Sequence, residues 1–259
     1  AISRTIEATA VLTAIGGPWT ELSLEPTWDS TIARQVVSVS LPTFAEGMST
    51  SLANFPFNSL ILLFGTEANA AYHIGRRVYQ QLAGPFYRSA STVTSIIVGQ
   101  TLGEGDTVEA RSNAMGLLSL SMGLLTVMGI VMFVAAEPIV MLFTGDSETQ
   151  QFAVAFTRVY GVSMPLFGIF FPLAGALRGA GDTRTPFYAR LVGAFVFMLG
   201  GSYLLAITLG YDLWGVYAGM VLSYGCMAAI VAAGFRWGGW RDTAASMIAE
   251  REEAAGGND

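Results

Sequence analysis

Apolar runs long enough to cross a bilayer alternate along this chain with short breaks rich in glycine, threonine and acid. A helix rises about 1.5 Å per residue and needs about 20 predominantly apolar residues to span the hydrocarbon core. Five stretches reach that length: 36–64, 110–135, 152–177, 187–209 and 213–235. Between the first two lies 70–102, which holds His73, Arg76, Arg77 and Arg88 but is otherwise apolar and too long for a loop. It reads as a sixth membrane helix with a wet face. The breaks at Gly65-Thr66-Glu67, Gly103-Glu104-Gly105-Asp106, Thr144 to Glu148, Gly179 to Arg184 and Gly210-Tyr211-Asp212 are all turn-forming. The pattern predicts an all-α polytopic membrane protein with a six-helix transmembrane bundle over 36–236. Residues 1–15 are apolar but too short to cross, and they lack the basic start and small-residue cleavage site of a signal peptide. They read as the end of a truncated transmembrane helix, and 237–259 as an acidic, solvated tail.

Composition narrows the picture. Only 12% of residues are charged and 53% are hydrophobic, where a soluble domain carries about a quarter charged residues. A net charge of -6 lacks the basic footprint that nucleic-acid binding requires. One cysteine and one histidine cannot build the usual zinc or haem sites, and no cofactor is expected. All 13 basic residues are arginine. With the excess of acid, that reads as the high-salt cytoplasm of a halophilic prokaryote, or else as an accident of one sequence.

The arginines also give an orientation. Arg34 precedes the first span and Arg111 follows the second. Arg178, Arg184 and Arg190 flank the loop after the fourth, and Arg236 and Arg241 follow the last. The alternate loops, 65–69, 136–149 and 210–212, hold none. Basic residues are retained on the cytoplasmic side, so this alternation puts the C-terminus inside.

Charges at membrane depth are functional candidates by default. Glu46, Thr50, Asn54 and Asn58 recur at four-residue spacing and form a slowly winding polar stripe. The stripe lines a water-filled cavity or else a helix-to-helix seam, and the carboxylate favours the cavity. The second span carries a matching row of His73, Arg77, Gln81, Gly84, Arg88, Ser91, Ser95 and Gly99, with Pro85 in its middle. Glu46 and Arg88 both lie roughly 20 Å from the cytoplasmic end of their helices, which predicts one shared cavity. The other reading is that Arg88 snorkels or faces a different helix. Arg158 reads first as an interfacial or interhelical pair former, His73 as a structural hydrogen-bond former, and Cys226 as packing. Ser119 with Gly123, Gly175 with Gly179, and Gly215 with Gly219 predict close helix contacts. Phe55, Phe57, Tyr87 and Phe171 are candidates for stacking on a flat solute.

Two loop motifs carry more information. The second span ends in Val98-Gly99-Gln100-Thr101-Leu102-Gly103-Glu104-Gly105-Asp106. The fourth ends in Leu177-Arg178-Gly179-Ala180-Gly181-Asp182-Thr183-Arg184-Thr185-Pro186. With Leu41-Pro42 followed by Glu46, and Phe143-Thr144-Gly145-Asp146, the ordered set across 33–236 resembles the MATE (multidrug and toxic compound extrusion) family of secondary transporters.

The resemblance implies one lobe of a twelve-helix, two-lobe transporter, with 16–35 as the cytoplasmic linker between lobes. The partners implied are the lipid bilayer, a small organic solute and an N-terminal six-helix lobe. The activity implied is antiport, in which sodium or proton influx drives expulsion of organic, often cationic, solutes. Glu46 falls where many members carry an acid four positions after the proline of the seventh helix. Some sodium-coupled members also place an acid in the helix matching 152–177, which has none here, and others place a coupling aspartate in the first helix. Glu46 is therefore either the coupling group or an accessory one. Glu46, Thr50, Asn54, Asn58 and Arg88 are the candidate solute and ion pathway, and Gln100, Asp106, Arg178, Asp182 and Arg184 the candidate cytoplasmic gate or loop. Arg178, Asp182 and Arg184 form either a charge cluster that opens and closes or a rigid turn capped at Asp182 or Thr183. The alternative activity is a lipid-linked oligosaccharide flippase of the same wider superfamily. No serine–histidine motif, metal cluster or paired acids suggest an enzyme.

Overall fold

The glycine-rich breaks separate helices. The computed structural model describes residues 30–240 together with Thr5, Thr9, Thr13, Thr243 and Ser246. The expected truncated helix (1–15), linker (16–35) and acidic tail (237–259) fall mostly outside these residues. The chain divides into two units, Ala1–Val37 and Ser38–Asp259. In the first, the Thr9 and Thr13 hydroxyls donate back one helical turn to the carbonyls of Thr5 and Thr9, at 2.8 and 2.9 Å.

The second unit contains most of α1 (Ser30–Leu62), then α2 (Thr66–Leu82), α3 (Gly84–Gly103), α4 (Thr107–Val134), the short α5 (Ala136–Met141), α6 (Ser147–Gly179), α7 (Arg184–Val192) and α8 (Asp212–Trp237). Two of the expected spans are not plain α-helices. The second is broken at Ala83 into α2 and α3. Pro85 stands in the first turn of α3, where its missing amide costs no hydrogen bond, so it starts a helix and does not kink one. The fifth begins as α7 and continues as π-helical backbone over Gly193–Gly201 and Leu204–Thr208. There each amide reaches one residue further back than in an α-helix, and the turn widens. At the start of this stretch the buried Ser223 hydroxyl of α8 donates to the Gly193 carbonyl at 2.8 Å.

By length and composition, four segments are apolar enough to cross a membrane among the described residues: α4, α6, Arg184–Thr208 and α8. Helix α6 is the centre of the bundle. It is 67% buried along its apolar window, against 22% for α4. Helix α6 packs against α2, α3, α4 and α8. Its first half joins a core with Phe57, Ile61, Tyr72, Leu125, Met132, Tyr217 and Met220. Its second half joins another with Val98, Leu102, Ala110, Met227, Val231 and Phe235.

Small residues let the neighbours of α6 approach closely. A Cβ on Gly175 or Gly179 would collide with the backbone carbonyls of Ser91 or Ser95 in α3, and on Gly215 or Gly219 with the backbone around Ala206 or Ser202. The expected pair Ser119 and Gly123 does not act this way: Ser119 is exposed and nothing lies within 4 Å of a Cβ at Gly123. The α4–α6 contact is made at Gly129 and Gly161.

The two diagnostic loops share one construction. After α3, the Asp106 amide donates to Thr101 and the Gly105 amide to Leu102; after α6, the Asp182 amide donates to Leu177 and the Gly181 amide to Arg178. Each pair is a Schellman turn, in which the residue past the helix end is left-handed. Gly105 and Gly181 have φ of 84° and 83°. The aspartate that follows caps what comes next. Asp106 accepts from the amides of Val108 and Glu109 at 3.0 and 2.8 Å, and Asp182 from the amide and hydroxyl of Thr185 at 3.0 and 2.6 Å. Asp146 caps α6 through the Thr149 amide at 2.8 Å. Thr149 holds the Asp146 carboxyl below the usual carboxylate range, and the Glu67 amide and the Thr66 hydroxyl do the same for Glu67.

Candidate functional site

Helix α2 is amphipathic, and its wet face forms a groove. Tyr72, Gly75 and Val78 turn inward, while His73, Arg77 and Gln81, each about 6 Å further along, stay exposed. With Arg76, Gln80, Gly84, Pro85 and Arg88 they line a groove of about 560 Å³. Because α2 begins at Thr66, Arg76 and Arg77 lie about 15 Å from its start. No carboxylate of a described residue lines the groove.

Arg76 also lines a second, deeper cavity of about 100 Å³, with Asn54, Tyr72, Tyr79, Tyr160, Arg190 and Tyr224. Tyr79 stacks on Tyr160 with ring centroids 4.2 Å apart. The Arg190 guanidinium lies over the Phe170 ring at 5.0 Å and the Phe171 ring at 5.7 Å. A cation over an aromatic face gains roughly 0.5–2 kcal/mol, more as water is excluded, so Arg190 is held at the cavity by its neighbours. Arg76, Arg190 and these four tyrosines were not candidates from the sequence. The signal for half of them was present: Tyr72, Arg76 and Tyr79 recur at i, i+4 and i+7, one helix face. Tyr160, Tyr224 and Arg190 join only because α6, α7 and α8 pack around that face.

The expected pathway residues separate. The side chains of Glu46 and Thr50 lie outside the described residues, although their backbone is helical in α1. Asn54 lines the deeper cavity and Arg88 the open groove, and Asn58 is half-buried. The row that continues past Arg88 changes role, since Ser91, Ser95 and Gly99 meet α6 at Gly175 and Gly179. Of the expected aromatic candidates, Phe57 is fully buried in the core and Tyr87 stacks on Phe171 at 4.2 Å, while Phe55 is exposed.

Among the expected gate residues, Gln100 and Arg184 are exposed, and Asp106 and Asp182 are caps. Nη1 of Arg178 lies 3.5 Å from the Ser91 hydroxyl. Arg158 is exposed with its guanidinium 5.6 Å over Phe133, an interhelical contact as expected. The His73 ring lies beside that of Tyr72, centroids 5.3 Å apart and planes tilted by 58°. Among the described residues, no group of three His, Cys, Asp or Glu is arranged to hold a metal ion.

The bundle is similar to known transporters in sequence and fold. The MatE family model covers residues 42–204, more than half of the chain. The chain is 24% identical over 200 residues to a probable multidrug resistance protein NorM of Thermotoga maritima, covering 76% of this chain and 42% of that protein. It is 27% identical over 216 residues to the multidrug resistance protein MdtK of Edwardsiella ictaluri, covering 79% and 45%. A crystal structure of a MATE protein in its straight conformation superposes with a TM-score of 0.81 at 17% identity, covering 95% of this chain and 55% of that one. The fold is thus a multi-pass helical membrane bundle that aligns to about half of a twelve-helix MATE transporter. This chain belongs to the MatE family. It spans less than half the length of the curated relatives it matches.

Proposed function

We propose that this chain supplies one lobe of an ion-driven efflux transporter, in which two lobes rock about a central path and exchange inward sodium or protons for an outgoing organic solute. The observation that carries this reading is the groove of His73, Arg76, Arg77, Gln81 and Arg88 within a family of membrane transporters. Three arginines on a lipid-facing surface at this depth are costly, and such residues persist where they face water or a solute. The names of the relatives, multidrug resistance proteins, support efflux as the direction.

Arginine placement supports a cytoplasmic location for the loops containing Asp106 and Asp182 and for the C-terminus. The two capped Schellman turns are then rigid elbows on that side, with Arg178 and Arg184 as their charged flanks and Gln100 at the end of α3. The arginine-only, acid-rich composition supports a high-salt host. Glu46, one to three turns before Thr50, Asn54 and Asn58 on α1, is an ionisable group with which an ion can exchange, as the coupling group or an accessory to it.

A coupling ion drives the cycle only if it binds the two conformations unequally. The test is flux: with the complete transporter in sealed vesicles, an imposed sodium or proton gradient drives solute movement, and Glu46→Gln slows or uncouples it. Unchanged gradient-driven flux in that variant removes Glu46 from the mechanism. No gradient-driven flux of any solute overturns the transporter reading, and loss of a surface glycan on deletion points to the flippase.

A further inference from the structure

The geometry points to an organic anion, a solute bearing a carboxylate, sulfonate or phosphate group, as the ligand of the groove between α2 and the start of α3. This inference rests on the transport reading above and adds the charge of the cargo. The groove holds about 560 Å³, within the range of sites for drug-sized ligands. Its charged groups are the guanidiniums of Arg76, Arg77 and Arg88, donors only, beside His73 and the Gln80 and Gln81 amides, which can both donate and accept. Among the described residues no carboxylate lines it, and none lines the deeper cavity behind Arg76.

A cationic solute in the groove would meet three guanidinium charges and be repelled by each. An anion meets the reverse. Guanidinium groups offer paired N–H donors that match the two oxygens of a carboxylate or phosphate. Arg88, on α3, stands seven positions after Gln81, about two helical turns, so the groove face of α2 continues across Ala83 into α3. Arg76 lines both this groove and the deeper cavity that holds the Tyr79–Tyr160 stack.

The same donors suit the phosphate of an anionic lipid, and the experiment separates the two sources. The complete transporter is reconstituted in phosphatidylcholine vesicles, with and without phosphatidylglycerol. Gradient-driven flux is compared for carboxyfluorescein and for ethidium, two polyaromatic probes of opposite charge. The expected result is faster flux of carboxyfluorescein in both lipid mixtures, reduced at least ten-fold by Arg77→Gln with Arg88→Gln. The charge-inverting pair Arg77→Glu with Arg88→Glu is expected to shift the preference toward ethidium. Both positions are exposed in this chain, and a monodisperse elution profile with unchanged Tm confirms that the variants fold. Ethidium flux equal to or above that of carboxyfluorescein, insensitive to both pairs, overturns the inference and leaves the transporter reading standing. Stabilisation by phosphatidylglycerol that the Glu pair abolishes, without carboxyfluorescein flux, assigns the groove to lipid headgroups and also overturns it. Absence of flux for either probe under both sodium and proton gradients removes the transporter reading and the inference with it.

Discussion

Tyr79 of α2 and Tyr160 of α6 stack face to face, with ring centroids 4.2 Å apart and planes 24° from parallel. Arg76 lies one turn before Tyr79 on α2 and lines both the open groove and the deeper cavity. The stack joins α2, the helix that carries the wet face, to the central helix of the bundle.

The stack has a measurable energy. A double-mutant cycle with Tyr79→Leu and Tyr160→Leu is expected to give a coupling of about 0.5–1.5 kcal/mol in unfolding free energy, as for other aromatic pairs. Additive effects of the two substitutions would show that the rings are neighbours without being partners.

Close backbone approach at α3–α6 gives a second prediction. Gly175→Ala places a Cβ against the Ser91 carbonyl and is expected to cost about 1–3 kcal/mol, as other overpacking substitutions do. Gly123→Ala, with nothing within 4 Å, is expected to be neutral or slightly stabilising because alanine favours the helix. Thermal unfolding in detergent measures both, and equal Tm values for the two variants would contradict the packing described.

The turn chemistry can be tested at the two elbows. Gly105→Ala and Gly181→Ala each force a Cβ into the left-handed region, at about 1–2 kcal/mol. Asp106→Ala removes the acceptor for two amides, about 1 kcal/mol, while Asp106→Asn keeps it. Expression and Tm of the four variants should rank in that order. If Asp182→Ala leaves gradient-driven flux unchanged at lower Tm, Asp182 serves as a cap and not as a mobile charge.

Acid sensitivity follows from the carboxyls outside the membrane spans. Asp146 and Glu67 are held below their ordinary range in the folded protein by hydrogen bonds from Thr149, and from the Glu67 amide and Thr66. A group lowered on folding stabilises the protein above its unfolded pKa, and that contribution is lost as pH falls through the folded value. Tm is therefore expected to be flat with respect to these groups near neutral pH and to fall in acid below about pH 4. Asp146→Asn should flatten part of that acid limb, and an unchanged limb in the variant would show that Asp146 does not contribute to it.

Much of this was legible in the sequence, for reasons that differ residue by residue. Helix ends at Gly103 and Gly179 follow from the Schellman glycines two positions later, and the groove residues His73, Arg77 and Gln81 from four-residue spacing. That spacing holds across Ala83 as far as Arg88, but Ser91 and Ser95 further along the same row fall against α6 and not in the groove. The π-helical stretch after Val192 depends on backbone register and on Ser223 from another helix, which no local pattern encodes. Arg190 and Tyr224 became site residues for the same reason: tertiary packing chose them. The family resemblance favours a cationic cargo, whereas the described linings carry positive charge themselves.

The central claim is that the arginine face of α2 and α3 lines the solute path. It is tested most directly by labelling a cysteine at position 77 in a complete transporter otherwise free of cysteine, with Cys226→Ala. In membranes, a charged impermeant maleimide should label Arg77→Cys at a rate that changes several-fold when the sodium or proton gradient is reversed, while Leu120→Cys on the exposed apolar face of α4 stays unlabelled. Position 77 remaining as inert as position 120, or labelling at one rate under every gradient, would contradict the account.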